Sequence, residues 1–139
     1  MISVGHIMSQ DPITVEGSAS CQEAARLMRH RNVGEVIVTT GDSLSGMLTD
    51  RDITVRGVAE GRDLVDAPVS ELCSTELSSL ESSQSILEAL ALMRAKAVRR
   101  IPVVDDRGRP VGVVTLGDLA LKLEPDSVLS AISSAPANT

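Results

Sequence analysis

The spacing of apolar positions changes several times along the chain, and each change marks a different element. Between residues 20 and 31, Ala24, Leu27 and Met28 recur at the three- and four-residue steps of one helix face, while Arg26 and Arg29 fall on the other side. Ser18 or Ser20 stands where an N-cap belongs, and Glu23 three residues after Ser20 fits a capping box. Residues 35–39 are short and β-branched. They are followed by a turn at Thr40-Gly41-Asp42-Ser43 and a second apolar run at 44–49, which together predict a hairpin. A helix is expected over 50–59, ended by Gly61. Upstream, residues 3–8 predict a short helical lead-in, and Ile13-Thr14-Val15, just after Pro12, a short strand.

The same order then returns. A lead-in at 69–73, a strand at 78–80, a helix over 86–97 capped by Ser83 or Ser85, strands at 100–104 and 110–115 around a turn at 105–108, and a helix over 117–123 are all expected. Leu87, Leu90, Met93 and Val98 are read as the apolar face of the second long helix. At an offset of 65, Glu23, Ala24, Leu27, Met28 and Arg29 meet Glu88, Ala89, Leu92, Met93 and Arg94. One inserted residue near 106–110 moves the offset to 66, and Gly46, Thr49 and Asp52 then meet Gly112, Thr115 and Asp118. The chain is therefore two copies of one unit, with a first motif at 1–62, a linker at 63–68, a second motif at 69–124, and a helical turn and disordered tail at 125–139 after the break at Glu124-Pro125. Each unit reads β-α-β-β-α. Units of about 60 residues are marginal alone, so an α/β pair packed sheet to sheet about a pseudo-twofold axis is expected.

Composition narrows the function. Of 139 residues 42% are apolar, yet none is Phe, Tyr or Trp, so the core must be aliphatic and no aromatic platform exists on which bases could stack. A net charge of −6 supplies no basic footprint for nucleic acid or an anionic membrane. No apolar run approaches a membrane span and the N-terminus lacks a basic stretch before an apolar one, so a cytoplasmic protein is expected. Cys21 and Cys73 are far apart and outside any C-x-x-C, and His6 and His30 stand alone. Ordinary semi-buried thiols are the expectation, with a metal or redox role a distant third hypothesis. No nucleophile, base and orienting acid come together, so no enzyme activity and no required cofactor are expected.

The recurring G-h-h-T-x-x-D has a chemical reading. A hydroxyl and a carboxylate beside the unpaired N–H groups of a helix start can hold a sugar diol and a phosphate. The blander reading is that Thr49 and Thr115 end strands while Asp52 and Asp118 are first-turn acids favoured by the helix dipole. Arg99 and Arg100 are likewise either guanidinium forks for a phosphate or partners of Asp105 and Asp106.

The two G-h-h-T-x-x-D exits, the A-x-x-L-M helices and Arg100-Ile101-Pro102-Val103-Val104-Asp105 together resemble a tandem pair of cystathionine β-synthase (CBS) domains, over residues 4–124. The chain also resembles small stand-alone bacterial two-motif proteins, some stress-induced, in which T-D-R-D-I closes the first motif as it does at Thr49 to Ile53. The resemblance implies a non-enzymatic regulatory module that binds AMP, ADP, ATP or S-adenosylmethionine in clefts between the halves. It places Thr115, Asp118, Arg99, Arg100, Ile101 and Leu80 in one cleft, and Thr49, Asp52, Gly34, Glu35, Ile13 and Val15 in the other. Glu35 puts a carboxylate where an anion would sit, a like-charge contact worth about 4 kcal/mol at ~4 Å and an effective dielectric near 20, so the second motif's cleft is expected to bind the nucleotide. A homodimer and an unknown protein partner are further expectations. The alternative is a ligand-free interaction and dimerisation module, favoured by Glu35, by Ile37 in the place of a family proline, and by the Ser78-Ser79 strand.

Overall fold

The two long helices begin where serines meet glutamates. In a computed structural model that describes residues 2–123, Ser20 Oγ accepts the amide of Glu23 at 3.1 Å and Ser85 Oγ accepts that of Glu88 at 3.1 Å, so these serines rather than Ser18 and Ser83 are the caps. The turn and tail expected at 125–139 lie outside the described residues.

In chain order the elements are α1 (Val4–Ile7), β1 (Ser9–Gln10), β2 (Thr14–Glu16), α2 (Cys21–Arg31), β3 (Glu35–Thr40), β4 (Ser43–Thr49), α3 (Asp50–Asp52), a π-helix (Ile53–Val58), α4 (Val69–Leu72), β5 (Leu80–Glu81), α5 (Ile86–Lys96), β6 (Arg100–Val104), β7 (Pro110–Thr115) and α6 (Leu116–Leu123). This is the mixed α/β architecture expected, in two units. A central unit, Ile13–Leu77, holds the sheet β2-β3-β4. A terminal unit, formed by the chain up to Pro12 and from Ser78 onward, holds the sheet β1-β7-β6-β5. In each, a short parallel strand precedes a tight antiparallel hairpin, and the hairpin turns carry Gly41 (φ 62°) and Gly108 (φ 78°), a region that glycine enters without steric cost.

Repeat and unit do not share boundaries, because the lead-ins are exchanged. Ser9 and Gln10, from the start of the first motif, pair with Val113 and Gly112 of the second. Ser74, from the start of the second, pairs with Met47 of the first through two bonds of 3.0 Å. The helical turns follow suit: Val4 N donates to Gln84 O at 2.8 Å, and Val69 N donates to Ala19 O at 2.8 Å. Each core depends on the exchanged segment. Val69 and Leu72 join Cys21, Ala24, Met28, Val36, Val38 and Leu48 in the central unit, and Val4 joins Leu80, Ile86, Ala89, Met93, Ile101 and Val114 in the terminal one. Burying one such side chain contributes about 1.5–3 kcal/mol, so neither sheet would keep its core without the borrowed turn.

Four expectations change in detail. The segment expected as a linker at 63–68 is packed rather than free, since the first amides of α2 have no partners inside the helix and take carbonyls from it: Cys21 N donates to Ala67 O at 2.9 Å and Gln22 N to Leu64 O at 3.0 Å. The helix expected over 50–59 is α-helical for one turn and then widens into a π-helix, where Gly57 packs beneath Leu64 and Leu72. On α5 the buried face is Ile86, Ala89 and Met93, whereas Leu87 is 71% exposed and Val98, expected on the same face, lies past the end of the helix and is 39% exposed. Leu87 lies one position, about 100°, from Ile86 and so falls outside that buried stripe. The strand expected at 78–80 is confined to Leu80 and Glu81.

Candidate functional site

Each residue of G-h-h-T-x-x-D has a structural task. The glycine lets an exchanged lead-in approach. A Cβ on Gly112 would stand 2.6 Å from Met8 Sδ and 2.7 Å from Ser9 O, and one on Gly46 would stand 2.7 Å from Cys73 Sγ and 3.0 Å from Ser74 O. The two apolar residues that follow continue the strand, with Leu48 and Val114 fully buried. Threonine and aspartate then form a reciprocal helix start. Asp52 N donates to Thr49 Oγ1 at 3.1 Å and Thr49 N to Asp52 Oδ2 at 2.9 Å; Asp118 N donates to Thr115 Oγ1 at 3.1 Å and Thr115 N to Asp118 Oδ2 at 2.9 Å. The bland reading of these residues as caps is therefore real, but it uses half of each side chain. A threonine hydroxyl still has a proton to donate, and a carboxylate still has its Oδ1. All four residues are half-buried rather than sealed in the core.

In the terminal unit, β6 brings its cations to this exit. Arg100 lies opposite Thr115 across the β6–β7 ladder, and Arg99 O accepts Leu116 N at 2.7 Å. Arg99, Arg100, Thr115 and Asp118 thus meet at one end of the hairpin, with both arginines exposed. Ile101 and Leu80 are near in sequence register but point elsewhere: both side chains are at most 2% exposed within the hydrophobic core, so at this exit they offer backbone rather than side chain. Asp105 is taken by the hairpin turn. Its Oδ1 accepts the amides of Arg107 and Arg109 at 2.9 Å and its Oδ2 the guanidinium of Arg109 at 2.8 Å.

The central unit repeats the geometry with different charges. Glu35 lies opposite Thr49, and Asp50 N donates to Gly34 O at 2.9 Å. Ile13 and Val15 lie partly buried against the central core, and Ile13 O accepts Ile37 N at 2.9 Å. Where the terminal exit has Arg99, Arg100 and Leu116, the central one has Gly34, Glu35 and Asp50. Asp50 was the residue that the motif alone did not single out, although its mismatch with Leu116 at the repeat offset was visible.

Chemistry at the thiols is muted. Cys21 and Cys73 are free and buried, and burial pushes both above the usual thiol range, which disfavours the reactive thiolate. Among the described residues no three His, Cys, Asp or Glu side chains gather as a metal site, and no helix is long and apolar enough to cross a membrane.

Comparison with known proteins agrees with this geometry. The CBS domain model matches residues 4–58 and 69–124. The CBS domain-containing protein YhcV of Bacillus subtilis is 44% identical over 135 residues, covering 96% of this chain and 95% of that protein. Hypoxic response protein 1 of Mycobacterium tuberculosis is 33% identical over 135 residues, covering 96% and 94%. A crystal structure of Hypoxic Response Protein I with two coordinated zinc ions has a TM-score of 0.80 at 35% identity, over 88% of this chain and all of that one (100%). The CBS domain pair of protein MJ0100, solved in complex with 5′-methylthioadenosine and S-adenosyl-L-methionine, has a TM-score of 0.74 at 25% identity, over 85% of this chain and 96% of that one. With a repeated exit motif built in the same way in both halves and a family model that matches each half, the chain belongs to the CBS domain family as a tandem pair of CBS domains.

Proposed function

We infer that this chain is a non-enzymatic regulatory module that senses an adenosine-containing ligand, AMP, ADP, ATP or S-adenosylmethionine, at its exit motifs. One observation carries the reading: the unspent Oδ1 of Asp118 and hydroxyl proton of Thr115 stand beside two exposed arginines at the end of β6. Asp118 accepts the ribose hydroxyls, Thr115 donates to ribose or phosphate, and Arg99 and Arg100 pair with the phosphate. Ile101 and Leu80 contribute main chain beside the adenine. In the central unit Thr49 and Asp52 repeat the ribose-binding pair, flanked by Ile13 and Val15. The MJ0100 pair, crystallised with two adenosine compounds, supports the ligand class.

Binding acts by favouring one arrangement of the module over another, and that difference is read by a protein partner. A homodimer fits the exposed apolar residues after each exit motif, Val55 and Val58 in the central unit and Leu121 in the terminal one. The second reading, a ligand-free interaction module, is favoured by Leu87, a large apolar side chain turned to solvent on α5.

The test uses the missing aromatics. Without Trp or Tyr the polypeptide is nearly transparent above 250 nm, so a 260 nm band that survives gel filtration, with an adenine nucleotide identified by mass in an acid extract, supports the sensor. A flat spectrum, with no heat on titrating AMP, ADP, ATP or S-adenosylmethionine, leaves the interaction module.

A further inference from the structure

In the central unit Asp50 holds the place that Leu116 holds in the terminal one. Each is the first residue after the motif threonine, and each donates its amide to the residue just before the first strand of its own hairpin: Leu116 to Arg99 O at 2.7 Å, Asp50 to Gly34 O at 2.9 Å. The backbones match and the side chains invert. At the terminal exit the accepting residue carries a guanidinium. At the central exit it carries no side chain, and the carboxylate of Asp50 lies over it: a Cβ on Gly34 would stand 3.2 Å from Oδ2, 3.6 Å from Cγ and 3.7 Å from Oδ1. Asp50 Oδ1 accepts the amide of Arg51 at 2.8 Å, which fixes the carboxylate in this orientation.

We propose that Asp50 sets the charge of the ligand at the central exit, turning phosphate away and leaving a site for an adenosine-type ligand that is uncharged or cationic at its 5′ end, while the terminal exit takes the nucleotide. This rests on the adenosine-binding reading given above and adds to it a division of labour between the two halves. The physical basis is a reversal of sign at two places: Arg99 and Arg100 stand at the terminal exit, whereas the carboxylate of Asp50 lies over Gly34 and Glu35 takes the position of Arg100 at the central one. A phosphate at the terminal exit gains a cation at position 99, whereas one at the central exit meets a fixed anion in the same place. For a dianionic phosphate about 6 Å from a solvent-exposed carboxylate, the repulsion weakens binding by about tenfold or more.

Calorimetry on the full chain separates the alternatives, with adenosine and AMP titrated apart. Two variants are needed: Asp50→Leu, which installs the residue the other half carries, and Asp50→Asn, which removes the charge at constant shape. The wild type is expected to bind two adenosines and one AMP per chain. Carried in a Glu35→Gln background, so that the other carboxylate of this exit does not mask the effect, both variants are expected to bind a second AMP at least about tenfold tighter at the central exit than Glu35→Gln alone, with adenosine affinity held within about twofold. Two equal AMP sites in the wild type, a single adenosine per chain, or variants that still bind two adenosines and one AMP overturn the assignment. A wild type that binds neither compound removes the adenosine reading itself, and with it this inference.

Discussion

Thr115 and Asp118 hold each other: the amide of Thr115 donates to Asp118 Oδ2 at 2.9 Å and the amide of Asp118 to Thr115 Oγ1 at 3.1 Å. The exit motif is therefore a helix start before it is a binding site. The cap fixes the rotamer of Asp118 and spends one of its oxygens, which leaves the other oriented and idle.

The two tasks can be separated by substitution. Thr115→Ala removes a cap and is expected to cost about 1 kcal/mol. Asp118→Asn retains an oxygen for the amide of Thr115 and is expected to cost about half that or less, yet it replaces the ionised acceptor offered to a ribose and lowers AMP affinity by about tenfold. Urea unfolding and calorimetry on the same two proteins check both; equal losses of stability would mean the carboxylate charge, not the geometry, makes the cap.

Glycine substitutions should rank by what the added methyl meets. Gly112→Ala drives a Cβ against the backbone oxygen of Ser9 at 2.7 Å, and Gly46→Ala against Cys73 Sγ at 2.7 Å and Ser74 O at 3.0 Å. Both should cost about 1–3 kcal/mol, the usual range for overpacking. Gly57→Ala meets the far ends of Leu64 and Leu72 at 2.6 and 3.0 Å, flexible atoms that can move aside. Denaturation midpoints in which Gly57→Ala is the most damaging of the three would contradict this account of the motif glycines.

Ala97 ends α5 with φ 54° and ψ 43°, a left-handed conformation that costs a residue bearing Cβ, while Asn32 ends α2 in the same way with a side chain suited to it. Ala97→Gly is expected to stabilise the protein by about 1 kcal/mol, read as a rise in thermal midpoint. Asn32→Ala should do the opposite.

Acid acts through Asp105. Its carboxyl is held below the ordinary range chiefly by the backbone amide of Arg109, with the amide of Arg107 and the guanidinium of Arg109 adding to it. A lowered folded value means stability that is present above the unfolded carboxyl value, about 3.9, and is lost as pH falls through the lower folded one. Urea midpoints measured between neutral pH and pH 2 should fall less steeply on the acid side for Asp105→Asn than for the wild type.

Much of this was legible because the signals are local. Ser20 and Ser85 stand three residues before glutamates, Gly41 and Gly108 mark hairpin turns, and the second copy of the long helix and of the hairpin doubled each signal. Other features depend on contacts between residues distant in sequence. An internal alignment reads the same whether Val4 packs beneath its own sheet or the other half's, so the exchange of lead-ins was invisible to it. Leu87 lies three residues before Leu90 yet faces solvent, because the buried stripe of α5 runs through Ile86, Ala89 and Met93. At the site, Thr49, Asp52, Thr115 and Asp118 were found by recurrence, whereas the pairing within each couple and the carboxylate of Asp50 over Gly34 needed coordinates.

The exchanged lead-ins also fix an order of events during synthesis. The central unit is one continuous stretch, Ile13–Leu77, and every strand of its sheet has emerged by the time α4 is made. The terminal unit is split. Ser9 and Gln10 are made before the central unit, but their partners Val113 and Gly112 only after it. A vectorially made chain must therefore hold β1 unpaired while the central unit folds behind it. Among the described strands, the first to be made is paired only by the last, β1 by β7.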